Sequence, residues 1–137
     1  MILVDAGPLI ALIDRKEKGH KACKDALHEL THPMVTTWPA FSEAMYLLGD
    51  RAGWPAQSLL WRLVDRKELK LNPLNDPIVA RARALMEQYA DRPMDLADAT
   101  LVALAEAMGE ERMFTLDSDF RFYRLHGRGT FSIVPEL

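Results

Sequence analysis

Short strand-like runs and longer helical segments alternate along the chain. The runs "MILV" (1–4), "MVTT" (34–37) and "RMFTL" (112–116) predict strands, and the first is continuously apolar, as in a strand buried on both faces. "ELKLN" (68–72) alternates apolar and polar residues as a strand does, and "FSIV" (131–134) predicts a short last strand. Strands that alternate with helices are typical of parallel crossover units.

Helical patterns fill the segments between these strands. Gly7-Pro8 turns the chain into a short helix, because proline suits a first helical turn. The predicted helices cover residues 9–13, 20–31, 39–48, 57–65, 76–89 and 96–108. Together the elements predict the α/β class, as a three-layer α/β/α sandwich with a central, mainly parallel sheet. Since the chain shows no repeat, low-complexity tract or linker, we expect residues 1–137 to form a single domain.

Composition narrows the class of protein. The chain has 137 residues, of which 49% are hydrophobic and 27% charged, as in ordinary globular domains. The single cysteine, Cys23, excludes an intramolecular disulfide and fits a cytoplasmic location. The apolar run at residues 1–13 is too short to span a membrane, carries Asp5 and follows no basic residue, so we expect no membrane partner. A net charge of −3 argues against non-specific coating of nucleic acid but leaves a nuclease possible.

Acidic residues fall where the predicted strands end. Asp5 follows the first strand directly, and Asp117 follows "RMFTL", with Asp119 two residues later. Glu43 lies in the first turns of the helix after "MVTT", and Asp98 lies in the first turn of the helix over 96–108. Open parallel sheets bind ligands beyond the carboxyl ends of their strands. We therefore expect these carboxylates to meet at one edge of the sheet.

Each acid also has a purely structural interpretation. Asp5 suits a turn, Asp119 suits a helix cap, and Asp95 with Asp98 resembles a capping box at the start of an apolar helix. Glu43 is harder to explain in this way, because "PAFSEAMYLL" is apolar nearly all round and predicts a buried helix. Asp98 likewise shares its helix face with apolar residues: Leu101, Val102 and Ala105. A buried carboxylate needs a partner.

A cation is the partner that this pattern favours. The sequence near these acids contains no evident set of lysines or arginines that would neutralise all of them, and like charges raise one another's pKa. A site made only of oxygen ligands suits a hard ion, Mg²⁺ or Mn²⁺. Carboxylates that hold such ions are typical of enzymes that hydrolyse phosphodiester bonds.

Four motifs in order carry a family resemblance: "VDAGPLIALID", "TTWPAFSEAMYLL", "DLADATLVALA" and "FTLDSDF". They resemble the PIN-domain ribonucleases, and most of all the VapC-type toxins of toxin–antitoxin pairs. In this resemblance the acidic tetrad that holds the metal consists of Asp5, Glu43, Asp98 and Asp117, and Asp119 matches a frequent fifth acid. Asp95 lies outside the core set and is interpreted as the helix cap. Thr115 matches a small polar position that orients Asp117, and Thr37 lies near a frequent Ser or Thr position.

The resemblance also implies an activity and partners. It implies Mg²⁺- or Mn²⁺-dependent endonucleolytic cleavage of RNA, with water as the nucleophile and a 5′-phosphate on one product. It further implies a homodimer and a cognate antitoxin protein that blocks the acidic pocket. Since PIN domains outside toxin systems share these motifs, an RNA-processing nuclease is the alternative.

Other features point to other functions. "HELTH" (28–32) matches the H-E-x-x-H motif of zinc peptidases, although Pro33 follows at once and no third ligand is evident. A non-catalytic module that binds RNA or protein is a further alternative, although such a module has no need of four buried carboxylates. The DxD in "LDSDF" also occurs in metal-dependent sugar transferases, but 137 residues is small for one.

Basic and aromatic residues could contact RNA. Three basic residues follow the first helix and three follow "LDSDF", in the order Arg15, Lys16, Lys18, Arg121, Arg124 and Arg128. Trp38 and Trp54 could stack on bases, whereas Trp61 in "SLLWRLV" is expected in the core or an interface.

Overall fold

The computed structural model describes residues 1–92 and 94–136. Within these described residues, seven strands and six helices occur in the order β1 (Ile2–Val4), α1 (Ala6–Ile13), α2 (His20–Glu29), β2 (Met34–Thr37), α3 (Trp38–Ala52), α4 (Trp54–Asp65), β3 (Leu69–Asn72), α5 (Asp76–Gln88), α6 (Leu96–Met108), β4 (Arg112–Phe114), β5 (Arg124–Leu125), β6 (Gly129–Thr130) and β7 (Ser132–Val134). A 3₁₀ turn at Ser118–Arg121 follows β4.

Five strands form a parallel sheet in the order β3-β2-β1-β4-β7. Leu3 of β1 pairs with Val35 of β2 on one side and with Met113 of β4 on the other. The chain therefore builds β2 and β3 on one side of β1 and then returns to the other side for β4. Ligands of open parallel sheets bind at such a reversal of strand order.

Helices cover both faces of the sheet. Ile2, Val4 and Phe114 point into a core shared with helices α1 to α4. Leu3 and Met113, on the opposite face, pack into a second core that contains α5 and α6. Alternate residues of a strand point to opposite faces, so the apolar run at residues 2–4 supplies both cores. The predicted three-layer α/β/α fold is confirmed.

Element ends differ from the prediction by a few residues. Helix α2 ends at Glu29 rather than at residue 31. Helix α3 runs from Trp38 to Ala52, longer than predicted, and ends at Gly53, whose φ of 70° suits glycine at the break before α4. The antiparallel pair β5–β6 was not predicted, because two-residue strands leave little periodicity to detect. The short helix that Asp119 was expected to cap is the 3₁₀ turn at Ser118–Arg121, and its cap is Asp117. None of the described helices is long and apolar enough to span a membrane.

Candidate metal centre

A cavity of about 290 Å³ lies beyond the carboxyl ends of β1 and β4. The polar side chains that line it are all carboxylates: Asp5, Glu43, Asp95, Asp98 and Asp117. Small and apolar residues complete its wall: Ala6, Gly7, Ile10, Leu47 and Leu116. The cavity is therefore acidic, and it lies at the reversal of strand order.

Asp5 connects the end of β1 to the start of α1. Its backbone is extended and its Oδ1 accepts the N–H of Ala6 at 2.7 Å, so it caps the helix. Its Oδ2 accepts a hydrogen bond from the Thr115 hydroxyl at 3.0 Å. Only 7% of the residue is exposed. The two oxygens of this buried carboxylate are thus held by one donor at the start of α1 and one donor directly after β4.

Asp98 and Asp95 divide two tasks at the start of α6. Asp95 is the N-cap, and its Oδ1 accepts the N–H of Asp98 at 2.7 Å. Asp98, in the first turn, is buried, and its Oδ2 accepts a hydrogen bond from the Tyr123 hydroxyl at 3.0 Å. The predicted cap at Asp95 is confirmed. The Asp98 side chain bonds Tyr123 rather than closing a capping box.

Asp117 follows β4 and is partly exposed. Its N–H donates to the Thr115 hydroxyl at 3.0 Å, and its Oδ1 accepts the N–H of Asp119 at 2.9 Å. Asp117 therefore caps the 3₁₀ turn while Thr115 holds its backbone. The hydroxyl of Thr115 contacts both Asp5 and Asp117. The sequence led us to expect a contact with Asp117 alone.

Three of these carboxylates converge. Asp5, Asp98 and Asp117 each offer an oxygen, and these atoms lie within 4.8 Å of one another. Among residues 1–92 and 94–136 this is the one group of three or more potential metal ligands. Oxygen atoms at this spacing, with no histidine or cysteine among them, match the ligands of a hard divalent cation.

Glu43 lines the same cavity but is exposed, so the expectation that it is buried is wrong. Helix α3 buries Ala40, Phe41, Ala44 and Leu48, whereas Tyr46 is 71% exposed. The sequence has apolar residues on both faces of α3, which led to the prediction that Glu43 is buried. In the structure, other elements pack against only one of these faces. Two of the tetrad carboxylates are thus buried, one is partly exposed and one is exposed.

Asp119 and Thr37 lie outside the lining of the cavity. The N–H of Asp119 donates to Asp117, and its carbonyl accepts hydrogen bonds within the 3₁₀ turn from the residues that follow. The hydroxyl of Thr37 shares a buried hydrogen bond with that of Thr100 at 2.8 Å, which joins the end of β2 to α6. The direct contacts of these two residues are structural.

Burial and mutual repulsion change the titration of the site. Burial raises the pKa of Asp5 to about 6, against the hydrogen bonds from Ala6 and Thr115, which lower it. Burial, followed by the charges of Asp95 and Asp5, raises the pKa of Asp98 to about 8. Loss of water and the nearby acids also raise the pKa of Glu43. The raised pKa values show that the groups around the cavity do not fully stabilise the ionised forms of these carboxylates.

Tyr123 was not identified from the sequence. It is fully buried, donates to Asp98, and its own pKa is raised well above the usual range by burial first and by the Asp98 charge second. The only trace in the sequence is an aromatic residue six positions after Asp117, in "FRFYRL". Local rules do not detect such a contact, because it joins a loop to the start of a helix 25 residues earlier.

The structure gives no support to the zinc motif. Helix α2 ends at Glu29, so His28 and His32 do not share a helical turn, and both are exposed.

The six basic residues singled out in the sequence do not line the acidic cavity; Arg15 lines a separate groove beside α4. Trp61 is 37% exposed and packs edge-on against Phe41, so it lies at the surface rather than in the core.

Known proteins resemble the chain over nearly its whole length. The family model of the PIN domain matches residues 2–125. Ribonuclease VapC26 of Mycobacterium tuberculosis is 25% identical over 135 residues, which cover 98% of this chain and 100% of that protein.

Solved structures agree with the fold. VapC20 of Mycobacterium tuberculosis, a toxin that cleaves the sarcin–ricin loop, superposes with a TM-score of 0.81 at 19% identity, over 87% of this chain and 92% of its own. A toxin–antitoxin complex from Klebsiella pneumoniae gives a TM-score of 0.68 at 21% identity, over 88% and 90% of the two chains.

Proposed function

The chain belongs to the PIN domain family, and from that membership we propose that it is a metal-dependent endoribonuclease that hydrolyses phosphodiester bonds of RNA. The convergence of Asp5, Asp98 and Asp117 within 4.8 Å, at the reversal of strand order, carries the proposal. The likeness to the ribonuclease VapC26 supports RNA as the substrate. We take residues 1–137 to act as a single nuclease domain.

A divalent cation fits this cavity. Two buried acids with raised pKa values face a third, and a cation between them would remove the repulsion. Asp5, Asp98 and Asp117 would hold Mg²⁺ or Mn²⁺, with Asp119 supporting Asp117 through their hydrogen bond. When bound, such an ion polarises the phosphate and makes water a stronger nucleophile near neutral pH.

The side chains suggest how the reaction is divided. Membership of the PIN family implies that water is the nucleophile, and the described lining of the cavity contains no serine, cysteine, histidine or lysine that would compete with it. Glu43 is exposed, lies at the cavity and has a raised pKa, which suits a carboxylate that accepts a proton from water. Attack by water on the phosphorus, with breakage of the bond to the 3′ oxygen, leaves a 5′-phosphate on one product and a 3′-hydroxyl on the other.

We further propose that the protein is the toxin of a toxin–antitoxin pair. The similarity to a Klebsiella pneumoniae toxin–antitoxin complex and to VapC26 supports a protein antitoxin as partner. Because the cavity is acidic, a cationic side chain of that partner would bind there in place of the metal. This would block the enzyme without any change of fold.

A groove between α1 and α4 could bind another segment of the antitoxin, in addition to the cationic side chain. Its lining consists of four apolar and three basic residues: Leu12, Ile13, Leu59, Leu63, Arg15, Arg62 and Arg66. No acidic residue is among them, so charge complementarity favours an amphipathic segment that carries Asp or Glu beside apolar residues. Ile10, two residues before Leu12, lines the acidic cavity, so one partner could reach both places.

The homodimer remains a proposal that rests on the family. An exposed aromatic surface on α3 and α4, with Trp38, Tyr46 and Trp61, offers a face for a second copy. Light scattering of the purified chain at several concentrations would test it, and a concentration-independent monomer would contradict it.

The decisive experiment combines metal binding with RNA cleavage. Calorimetric titration of Mn²⁺ into the wild type and Asp98→Asn comes first, with Asp25→Asn, an exposed acid on α2, as the matched control. We expect Mn²⁺ binding in the wild type and Asp25→Asn, and at least a tenfold loss in Asp98→Asn.

Total RNA and a sarcin–ricin loop oligonucleotide then serve as substrates, with Mg²⁺, Mn²⁺ or EDTA. Discrete products with 5′-phosphate ends that require the metal and Asp98 are expected. Absence of Mn²⁺ binding, or cleavage that persists in EDTA, would contradict metal-dependent catalysis.

A further inference from the structure

The hydroxyl of Tyr123 is the partner of the Asp98 carboxylate. It donates to Oδ2 at 3.0 Å, and both residues are buried. Among the described residues, this is the one hydrogen bond that the Asp98 carboxylate accepts. A phenol is neutral near pH 7 and donates a single hydrogen bond. Tyr123 therefore orients the carboxylate without cancelling its charge.

The ring of Tyr123 is itself held firmly. Tyr89 and Phe120 pack edge-on against it, each with ring centroids 5.2 Å apart. The hydroxyl of Tyr89 accepts the N–H of Arg124, the residue after Tyr123, at 3.0 Å. Because aromatic side chains in close packing have few alternative rotamers, the direction of the Tyr123 hydroxyl is set by the core.

The chain after Tyr123 is bound to the same helix as Asp98. Glu106 lies on α6, with 5% of its side chain exposed, and accepts the N–H of His126. The same carboxylate accepts both Nε and Nη2 of Arg81, at 2.7 and 3.1 Å. The segment 123–126 thus contacts α6 at Asp98 and again two turns later. This double attachment keeps the donor and the carboxylate in one rigid unit.

Asp98 needs such a fixed donor because its neighbours are anionic. Asp5 and Asp117 lie within the same group of carboxylates, and Asp95 lies one turn earlier on the helix. Without the Tyr123 hydroxyl, no hydrogen bond from the described residues would fix the orientation of the Asp98 carboxylate beside these acids. We propose that Tyr123 is a positioning residue that holds Asp98 in the orientation in which it binds a divalent cation. This inference rests on the proposed function.

Tyr123→Phe removes the hydroxyl and keeps the ring that fills the core. Tyr89→Phe is the matched control, since it removes a hydroxyl from the same aromatic cluster that contacts a backbone N–H and no carboxylate. Mn²⁺ affinity by calorimetry and melting temperature without metal are measured for both. We expect both variants to melt at lower temperatures than the wild type. Only Tyr123→Phe is expected to lose Mn²⁺ affinity, by about tenfold or more.

The outcomes separate this inference from the proposed function. If the wild type binds Mn²⁺ and Tyr123→Phe binds it equally well or more tightly, Tyr123 is not a positioning residue and the proposed function stands. An equal loss of affinity in Tyr89→Phe would show that general loosening of the cluster is responsible, which also overturns the inference. If the wild type itself does not bind Mn²⁺, the proposed metal-dependent function fails, and the inference fails with it.

Discussion

Thr115 donates a buried hydrogen bond to Asp5, 110 residues earlier in the chain, at 3.0 Å. The same hydroxyl accepts the N–H of Asp117, also at 3.0 Å. One fully buried side chain therefore determines how the acid after β1 lies relative to the acid after β4. The site is assembled by a residue that does not itself line the cavity.

Replacement of Thr115 by valine tests this relationship. Valine has nearly the same shape but no hydroxyl, so Asp5 and the N–H of Asp117 each lose a partner. We expect Mn²⁺ affinity to fall about tenfold and the free energy of unfolding to fall by roughly 1–3 kcal/mol. Calorimetry and urea denaturation measure the two effects. Thr115→Ser keeps the hydroxyl and should retain most of both; a valine variant with wild-type Mn²⁺ affinity would refute the assignment.

Stability without metal should depend on pH. The pKa values of Asp5 and Asp98 are raised, chiefly by burial, to about 6 and about 8. In the unfolded chain a carboxyl of this type titrates near pH ~4. The folded state thus binds these protons more tightly, and the resulting stability is lost as the pH rises through 6 and 8. We expect the free energy of unfolding in EDTA to fall by about 5 kcal/mol between pH 5 and pH 8, most of it from Asp98.

Two controls accompany urea denaturation at the two pH values. Asp98→Asn removes the group with the larger shift, so its stability should change less between pH 5 and pH 8 than that of the wild type. For the wild type at pH 8, saturating Mn²⁺ should raise the free energy of unfolding above its value in EDTA, because the cation binds the deprotonated carboxylates. A wild type that is more stable at pH 8 than at pH 5 in EDTA would contradict the raised pKa values.

Substitution of Asp95 should separate its cap from its charge. Asp95→Ala removes the acceptor for the N–H of Asp98 and should lower the free energy of unfolding by about 1 kcal/mol. Asp95→Asn keeps a good cap and should lie within about 0.5 kcal/mol of the wild type. Because the Asp95 charge raises the pKa of Asp98, the asparagine variant should bind Mn²⁺ with a pH midpoint shifted to lower pH. Equal stability of both variants would show that the cap contributes little.

Glu43→Gln should affect cleavage more than metal binding. Glu43 lies outside the group of three converging carboxylates but lines the cavity, so its main expected role is to accept a proton from water. We expect RNA cleavage to fall by about 100-fold or more, while Mn²⁺ affinity changes by less than about fivefold. Asp50→Asn, an exposed acid on the same helix, is the control. Loss of Mn²⁺ binding as large as in Asp98→Asn would instead make Glu43 a direct ligand.

Several features of this protein follow from the sequence alone. The alternation of strands and helices determined a parallel three-layer fold, since residue periodicity depends on local geometry. The cap at Asp95 was predictable for the same reason, because a cap contacts only the next turn of its own helix. The order of acids after successive strands also indicated an edge of the sheet at which they meet.

Only the tertiary structure decided how these acids differ. Glu43 is exposed and Asp98 buried because packing covers only one face of α3, whereas it covers all sides of α6 from Ala97 to Ala105. The contacts of Thr115 with Asp5 and of Tyr123 with Asp98 join residues 110 and 25 positions apart. Such contacts depend on strand order and on the path of the loop after β4, which no local pattern specifies. Periodicity thus determined which elements form, and long-range packing determined which side chains meet.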